Sequence, residues 1–548
     1  MDHPLSGSTL MRYVISVLAL LAVLLPATAV GQESVAPTAA EIEQQKKEEA
    51  ARAEAIEKER QRRRTAVTLN YCRAALSRIR RYPSKRVLME ERERILNNLD
   101  LNAIKDAEVI SLYSAVLDEI NQTEIADRER RVISEQSRRG LQRRFGTQLF
   151  VIGAQVASGQ LGNAVQSGAN SWWDYRTSAV ERESRQWAVE RTRINGIVSC
   201  SSRFLDAAWK LSQKNEIPDN WLVRTDDLVR LERTMQEPNA EVRLRVLNRM
   251  ARFMECYPPY WYYVARTQQN LGQMREAART YRRLPELAQG HFRKDDMLAA
   301  GTANLAMIEE FLGNDSATRI ASKALEYSTE SWEVNLTCAW ILNRHKRTTD
   351  AEDAILRNLD VALEDRQSSI ALVSLYYHNG ERTKLSKVLG DEKIVAEIPI
   401  PGLLLCSTAL TEDRFPAVAR RRIAASLNAM AVTRGGTSSI AVRSTPDWKL
   451  ADARVGMQVG QQVVRQIQKP SPESLEGRLT GDAAGSDVVV TLNYPGTPTI
   501  QLHLEPQPTP GLNAGRAFGS RTSYQITRVE VGQQKLSLAP ASVGGGAR

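Results

Sequence analysis

Between residues 258 and 390 the chain repeats a pattern that only paired helices satisfy. The clearest copy runs from Pro258 to Tyr281. Counted from Pro258, it sets Trp261 at position 4, Ala265 at 8, Leu271-Gly272 at 14–15, Ala277 at 20 and Tyr281 at 24. Small residues at 8 and 20 let two helices approach closely, and Gly272 supplies a sharp exit from the first. Tyr281 and Leu284 then fill the space towards the next pair. A later copy opens at Trp332, with Ala339 and Ala351 at the small positions, and another at Arg366, with Asn379-Gly380 at the turn. Between them and the first copy, Ala299–Ser331 carries Leu305, Ala306, Leu312-Gly313, Ala317, Ala321 and Ala324, with its second helix one residue short. Pro285–Met297 reads as an insertion. A hairpin of this kind does not bury its apolar face alone, so successive hairpins must stack.

The pattern resembles the tetratricopeptide repeat, whose signature is a Trp, a small residue, Leu-Gly, then Ala and an aromatic. The starts at Trp332 and Arg366 lie one 34-residue family repeat apart. The resemblance covers residues 258–390 alone and implies an α-solenoid that binds polypeptides rather than doing chemistry. In that family positions 2, 5, 9, 12 and 13 of each first helix face a groove. Carried over, these give Tyr262, Arg266, Gln269 and Asn270 in the first copy. They give Trp340, Asn343 and Arg344 in the Trp332 copy, and Tyr377 and His378 in the Arg366 copy. Amides there suit a peptide backbone and Arg suits carboxylates. For Trp340 and Tyr377 packing between hairpins is an equal reading. The family's dicarboxylate clamp is not evident. Trp261 and Tyr281 match structural positions and are left out of the site.

Around the repeats the sequence divides readily. Residues 1–31 read as a signal peptide: Met11-Arg12, the apolar run Tyr13–Leu25, then Pro26-Ala-Thr-Ala29. Cleavage would place the chain in the periplasm; an uncleaved signal would anchor it in the inner membrane. Thr38-Ala-Ala-Glu41 is a capping box opening a charged helix or weak coiled coil over 38–64. Residues 65–223 read as a helical region. It includes an arginine-rich run at 128–144, suited to contact with a membrane surface, and a Gly/Ala-rich segment at 145–173. Small residues spaced four apart in that segment suit close helix packing, in a soluble bundle, a homo-oligomer or a membrane-associated hairpin. The helical repeat array occupies 224–395, a helical linker 396–437, and a small antiparallel β module 438–540. Its clearest strands are Val488–Tyr494, Thr499–Glu505, Tyr524–Val531 and Leu536–Leu538. The fold class is therefore mainly α: an N-terminal helical region, a repeat-type solenoid and a C-terminal β module.

The search for chemistry returns little. His3, His291, His345, His378 and His503 lie in unrelated contexts, and Cys72, Cys200, Cys256, Cys338 and Cys406 show no metal-ligand spacing. There is no nucleophile elbow, phosphate loop or dinucleotide fingerprint. Asp226-Asp227 and Asp295-Asp296 suit helix starts better than acid–base work. No catalytic residue, cofactor or metal is expected. The net charge of +10 favours anionic partners, and export argues against nucleic acid. The expected function is an exported, non-enzymatic scaffold binding a protein or peptide in the bacterial cell envelope. The alternatives are a membrane-associating oligomer acting through residues 126–175 and an enzyme seated in the β module.

Overall fold

The structure, a computed structural model, describes residues 39–82, scattered positions between 87 and 118, and 191–536 apart from 288–294, 436–438, 479–485, 495–497 and 508–521. The signal segment, the basic run 128–144 and the Gly/Ala-rich segment 145–173 lie outside the described residues. The chain is mostly helical, with a C-terminal antiparallel β half-barrel. Among the described residues no helix is long and apolar enough to cross a membrane.

The first helix, α1 (Ala39–Arg81), is charged and exposed as far as Gln61, a stretch that forms a compact unit of its own. Its few apolar residues cannot define a buried stripe, and ion pairs such as Lys47–Glu43 at 3.0 Å add only tenths of a kcal/mol, about 0.2–0.5. From Arg62 the composition changes and so does burial. Ala66, Leu69, Cys72, Leu76 and Ile79 are buried with α2 (Arg191–Lys214), Trp221 and Cys256 in one core. Asn70 ties this core together. Its Nδ2 donates to the carbonyls of Trp221 (2.7 Å) and Cys256 (2.9 Å), and its Oδ1 accepts from the Val223 N–H (2.8 Å).

Next come α3 (Thr225–Met235) and α4 (Ala240–Met250), then four hairpins: α5 (Pro258–Asn270) with α6 (Met274–Leu287), α7 (Asp296–Phe311) with α8 (Ala317–Tyr327), α9 (Trp332–Arg344) with α10 (Thr348–Asp360), and α11 (Asp365–His378) with α12 (Arg382–Val388). Every first helix ends the same way. Gly272, Gly313, Lys346 and Gly380 take left-handed φ values of 75°, 73°, 60° and 68°. The following N–H groups, of Gln273, Asn314, Arg347 and Glu381, each donate 2.9 Å back to a carbonyl five residues earlier. This closure satisfies carbonyls that a helix end leaves open. Lys346 achieves it without glycine. Neighbouring hairpins also touch through their first helices, α5 to α7, α7 to α9 and α9 to α11; the second helices touch one another far less. The first helices therefore form the tight inner layer.

The short helices α13 (Glu392–Glu397), α14 (Ile400–Ala409) and α15 (Ala417–Asn428) lead to the sheet. The Ile398-Pro-Ile-Pro401 break does end a helix, but it also starts one: Pro399 caps α14 and Pro401 sits in its first turn, where no N–H donor is needed. The strands are β1 (Ala431–Gly435), β2 (Ser439–Arg443), β3 (Arg454–Val459), β4 (Gln462–Val463), β5 (Gln466–Ser471), β6 (Ser474–Arg478), β7 (Val488–Asn493), β8 (Ile500–Gln507), β9 (Thr522–Val531) and β10 (Gln534–Leu536). They run in the order β4-β3-β7-β8-β9-β1-β2-β6-β5, with β10 on β9. Strand pairing begins at Ala431, earlier than the expected 438. On β7 and β8, Val488, Val490, Leu492, Ile500, Leu502 and Leu504 alternate inward around a fully buried Trp448. One continuous core runs from Val223 through the hairpins to Val531.

Candidate partner-binding surface

The nine groove residues expected from the sequence separate into two groups. Tyr262, Arg266 and Gln269 are buried in the hairpin interior, which corrects the expectation that they face an open groove. The cause lies on the next first helix. Residues 299–303 of α7 are Ala-Ala-Gly-Thr-Ala, and all are buried. A β-carbon on Gly301 would come 2.7 Å from Leu284 Cδ1 and 3.4 Å from the Tyr262 ring. With so little side chain on this face, α7 packs closely on the α5–α6 hairpin, chiefly against Leu284 of α6, and the chain itself encloses Tyr262, Arg266 and Gln269.

Inside, several polar groups are paired. The Tyr281 hydroxyl donates to Gln269 Oε1 at 2.8 Å, and the Tyr262 and Tyr281 rings meet edge-on at 6.2 Å. Burial pushes the Tyr262 hydroxyl well above its ordinary range; neighbouring Tyr281 adds to this, Arg266 opposes it, and Glu333 on α9 adds to it again. Burial likewise raises Tyr281, against Arg266 and a hydrogen bond with Asn304. Arg243 of α4 is lowered by burial and then by the like charge of Arg266. Arg266 thus centres a polar set drawn from α4, α5, α6 and α9.

The other group meets at the C-terminal turns of the inner helices. Arg344 Nε donates to Glu310 Oε1 at 2.7 Å, and His345 Nε2 lies 2.7 Å from Glu310 Oε2. One turn on, Asn379 Nδ2 donates to Asn343 Oδ1 at 2.8 Å. The Arg344 guanidinium lies 5.2 Å from the centre of the Trp340 ring, and Tyr377 and His378 pack edge-on at 5.3 Å. Trp340, Asn343 and Tyr377 are half-buried; Arg344, His378 and Phe311 are exposed. Asn270 is exposed at the same turn of α5. The result is a ladder across α7, α9 and α11 that offers aromatic edges, amide groups and the Arg344 cation. Partial burial lowers the His378 imidazole.

Glu310, Phe311, His345 and Asn379 were not singled out from the sequence. The signal was present: Glu310 and Phe311 stand at positions 12 and 13 counted from Ala299, in the copy assigned no site. His345 and Asn379 fall just after position 13, in the turn.

The remaining candidates resolve into structure. Asp295 caps α7 by accepting from the Leu298 N–H at 2.8 Å, and Asp227 accepts from the Arg224 N–H at 3.2 Å. Cys72, Cys256, Cys338 and Cys406 are buried thiols; burial pushes those of Cys72 and Cys406 up to about 12. On the outer face of β8 and β9, His503, Arg528 and Glu530 gather at 3.1–3.6 Å. No group of metal-ligating side chains occurs among the described residues. No known family matches the chain, and no curated protein matches it.

Proposed function

We propose that this protein is an exported, non-enzymatic scaffold of the tetratricopeptide type, which binds an extended segment of a protein partner in the bacterial cell envelope. The observation that carries the reading is the ladder of Phe311, Trp340, Asn343, Arg344, Tyr377 and His378 across three successive inner helices. The Asn343 amide, held by Asn379, suits the backbone of an extended peptide, and half-buried aromatics beside an arginine are the usual anchors of such interfaces. Glu310 engages Nε of Arg344, which leaves its terminal N–H groups for a carboxylate or carbonyl of the partner. The signal-like N-terminus supports export, and the four stacked hairpins support the repeat assignment.

The test is recovery of the partner by crosslinking in intact cells, comparing wild type with Trp340→Ala plus Arg344→Glu. Trp340 also packs on the core and Arg344 pairs with Glu310, so circular dichroism must show the variant folded like wild type before recovery is compared. A defined protein recovered with wild type and lost with the variant supports the reading. Recovery that ignores the variant refutes this location. No protein recovered by either chain would favour the membrane-associating oligomer or an activity of the β module.

A further inference from the structure

A second surface lies on α4, away from the inner-helix ladder. Its inward positions are Arg243, Leu247 and Met250, all buried, as is Met254 after the turn that follows. Its outward positions, continuing into the single 3-10 turn Ala251–Phe253, are Arg245, Arg249 and Arg252, spaced four and three apart. All three are exposed, and none makes an ion pair or side-chain hydrogen bond among the described residues. Asn248 is exposed between them. Phe253 closes the row, 40% exposed, with the Arg252 guanidinium 4.5 Å above its ring.

Three nearby carboxylates are committed elsewhere. Glu232 receives Arg81 and Tyr82, Glu255 receives Arg63, and Glu237 accepts from the Asn239 N–H. Helix α5, packed against α4, contributes no acidic residue. Exposed Glu241, one turn before Arg245, Asp219, on the 3-10 turn Asp219–Trp221 that touches Ala251–Phe253, and Asp226 on α3 remain, and none of them pairs with the three arginines. An exposed helix face that keeps three cations unneutralised beside an exposed aromatic is matched to a dense anionic surface with an apolar layer beneath it. That describes a membrane of anionic lipid: arginines at the phosphates, the ring at the headgroup–acyl boundary. An acidic protein segment would use the charges and leave Phe253 in water.

We infer that the α4 face formed by Arg245, Arg249, Arg252 and Phe253 seats the protein on an anionic lipid surface. The inference is independent of the peptide-binding ladder and of the basic run 128–144. Its test uses the full chain with phosphatidylglycerol–phosphatidylcholine vesicles and with pure phosphatidylcholine vesicles. The expected result is co-sedimentation with the first alone, weakened by salt. Replacing all three arginines (Arg245→Gln, Arg249→Gln, Arg252→Gln) lowers the affinity roughly 100-fold, from about fivefold per cation. An affinity within about threefold of wild type overturns the inference.

A nitroxide on Phe253→Cys reads the face directly, whatever else on the chain binds lipid. The four described cysteines are buried, and any signal from Cys200 is removed by subtracting the labelled parent chain. Protection of the nitroxide from a water-soluble relaxant on anionic vesicles is expected; unchanged accessibility on bound vesicles overturns the inference. So does a wild-type chain that binds polyglutamate through this face but binds neither vesicle.

Discussion

Replacing Asn70 should loosen the packing of α1 on the segments around Trp221 and Cys256. Three hydrogen bonds of 2.7–2.9 Å converge on one side chain that is 1% exposed. Asn70→Ala leaves the Trp221 and Cys256 carbonyls and the Val223 N–H without their partner. Each orphaned buried group costs about 1–3 kcal/mol, and water entering the space offsets part of it, so about 3–5 kcal/mol is expected in total. That is a large share of a typical domain's stability, roughly 5–15 kcal/mol. The same helix also holds α3 through Arg81 and Glu232 at 2.6 Å, but both side chains are 38% exposed. Arg81→Ala should therefore cost less than about 1 kcal/mol. Amide hydrogen exchange between Ala66 and Ile79 reads the difference locally. Asn70→Ala should speed exchange there by about 100-fold or more, and Arg81→Ala by less than about fivefold, at 1.4 kcal/mol per tenfold. Asn70→Asp adds a signature. It keeps the acceptor for Val223 but turns a carboxylate towards two carbonyl oxygens, so its folded-state pKa lies above the unfolded value. Its deficit should shrink as pH falls and the carboxyl protonates. Exchange unchanged in Asn70→Ala, or accelerated equally by Asn70→Ala and Arg81→Ala, would refute this reasoning.

Other consequences are direct. Lys346→Gly should stabilise the chain by about 0.5–1 kcal/mol in urea titration, because a left-handed L-residue costs about 1–2 kcal/mol and glycine returns part of this as unfolded-chain entropy. No gain would mean that the φ of 60° at Lys346 is unstrained. Gly301→Val should cost about 1–3 kcal/mol by pressing on Leu284 of α6 and Tyr262 of α5, and a neutral result would show that α7 does not pack closely on that hairpin. Burial alone would raise the Glu352 carboxyl, but hydrogen bonds from Lys384 and Tyr376, both 2.7 Å, outweigh it and hold it below its usual 4.5. A depressed carboxyl contributes stability above its unfolded pKa and loses it as pH falls through the folded one. The gap between wild type and Glu352→Gln should then be constant above about pH 5 and vanish in more acid solution; a gap that ignores pH would contradict the assignment.

What the sequence made legible follows from how local each signal is. Helix exits are local, so Gly272, Gly313 and Gly380 mark them directly, and Lys346 is placed by its spacing from Trp332. Strands with one buried face are local too: Val488–Asn493 and Ile500–Gln507 show in their alternation. β5 is exposed at five of six positions and contains Pro470, so it carries almost no apolar pattern. Burial of Tyr262, Arg266 and Gln269 was not legible, because it depends on the small residues of a different helix, α7. The same holds for Asn70, whose three partners lie about 150 residues or more away in the chain. The ladder was half legible: Trp340, Asn343, Arg344, Tyr377 and His378 follow from position within a repeat, whereas Glu310 and Phe311 sit in its least regular copy.

Docking of a protein partner on the inner-helix ladder is tested by a photo-crosslinking residue at Tyr377 and, as a control on the exposed face of α6, at Arg279. Illumination in intact cells should give a discrete adduct from Tyr377, abolished by Arg344→Glu, and none from Arg279. Equal adducts from both positions, or none from Tyr377 while the chain is still recovered with a partner, would contradict the account.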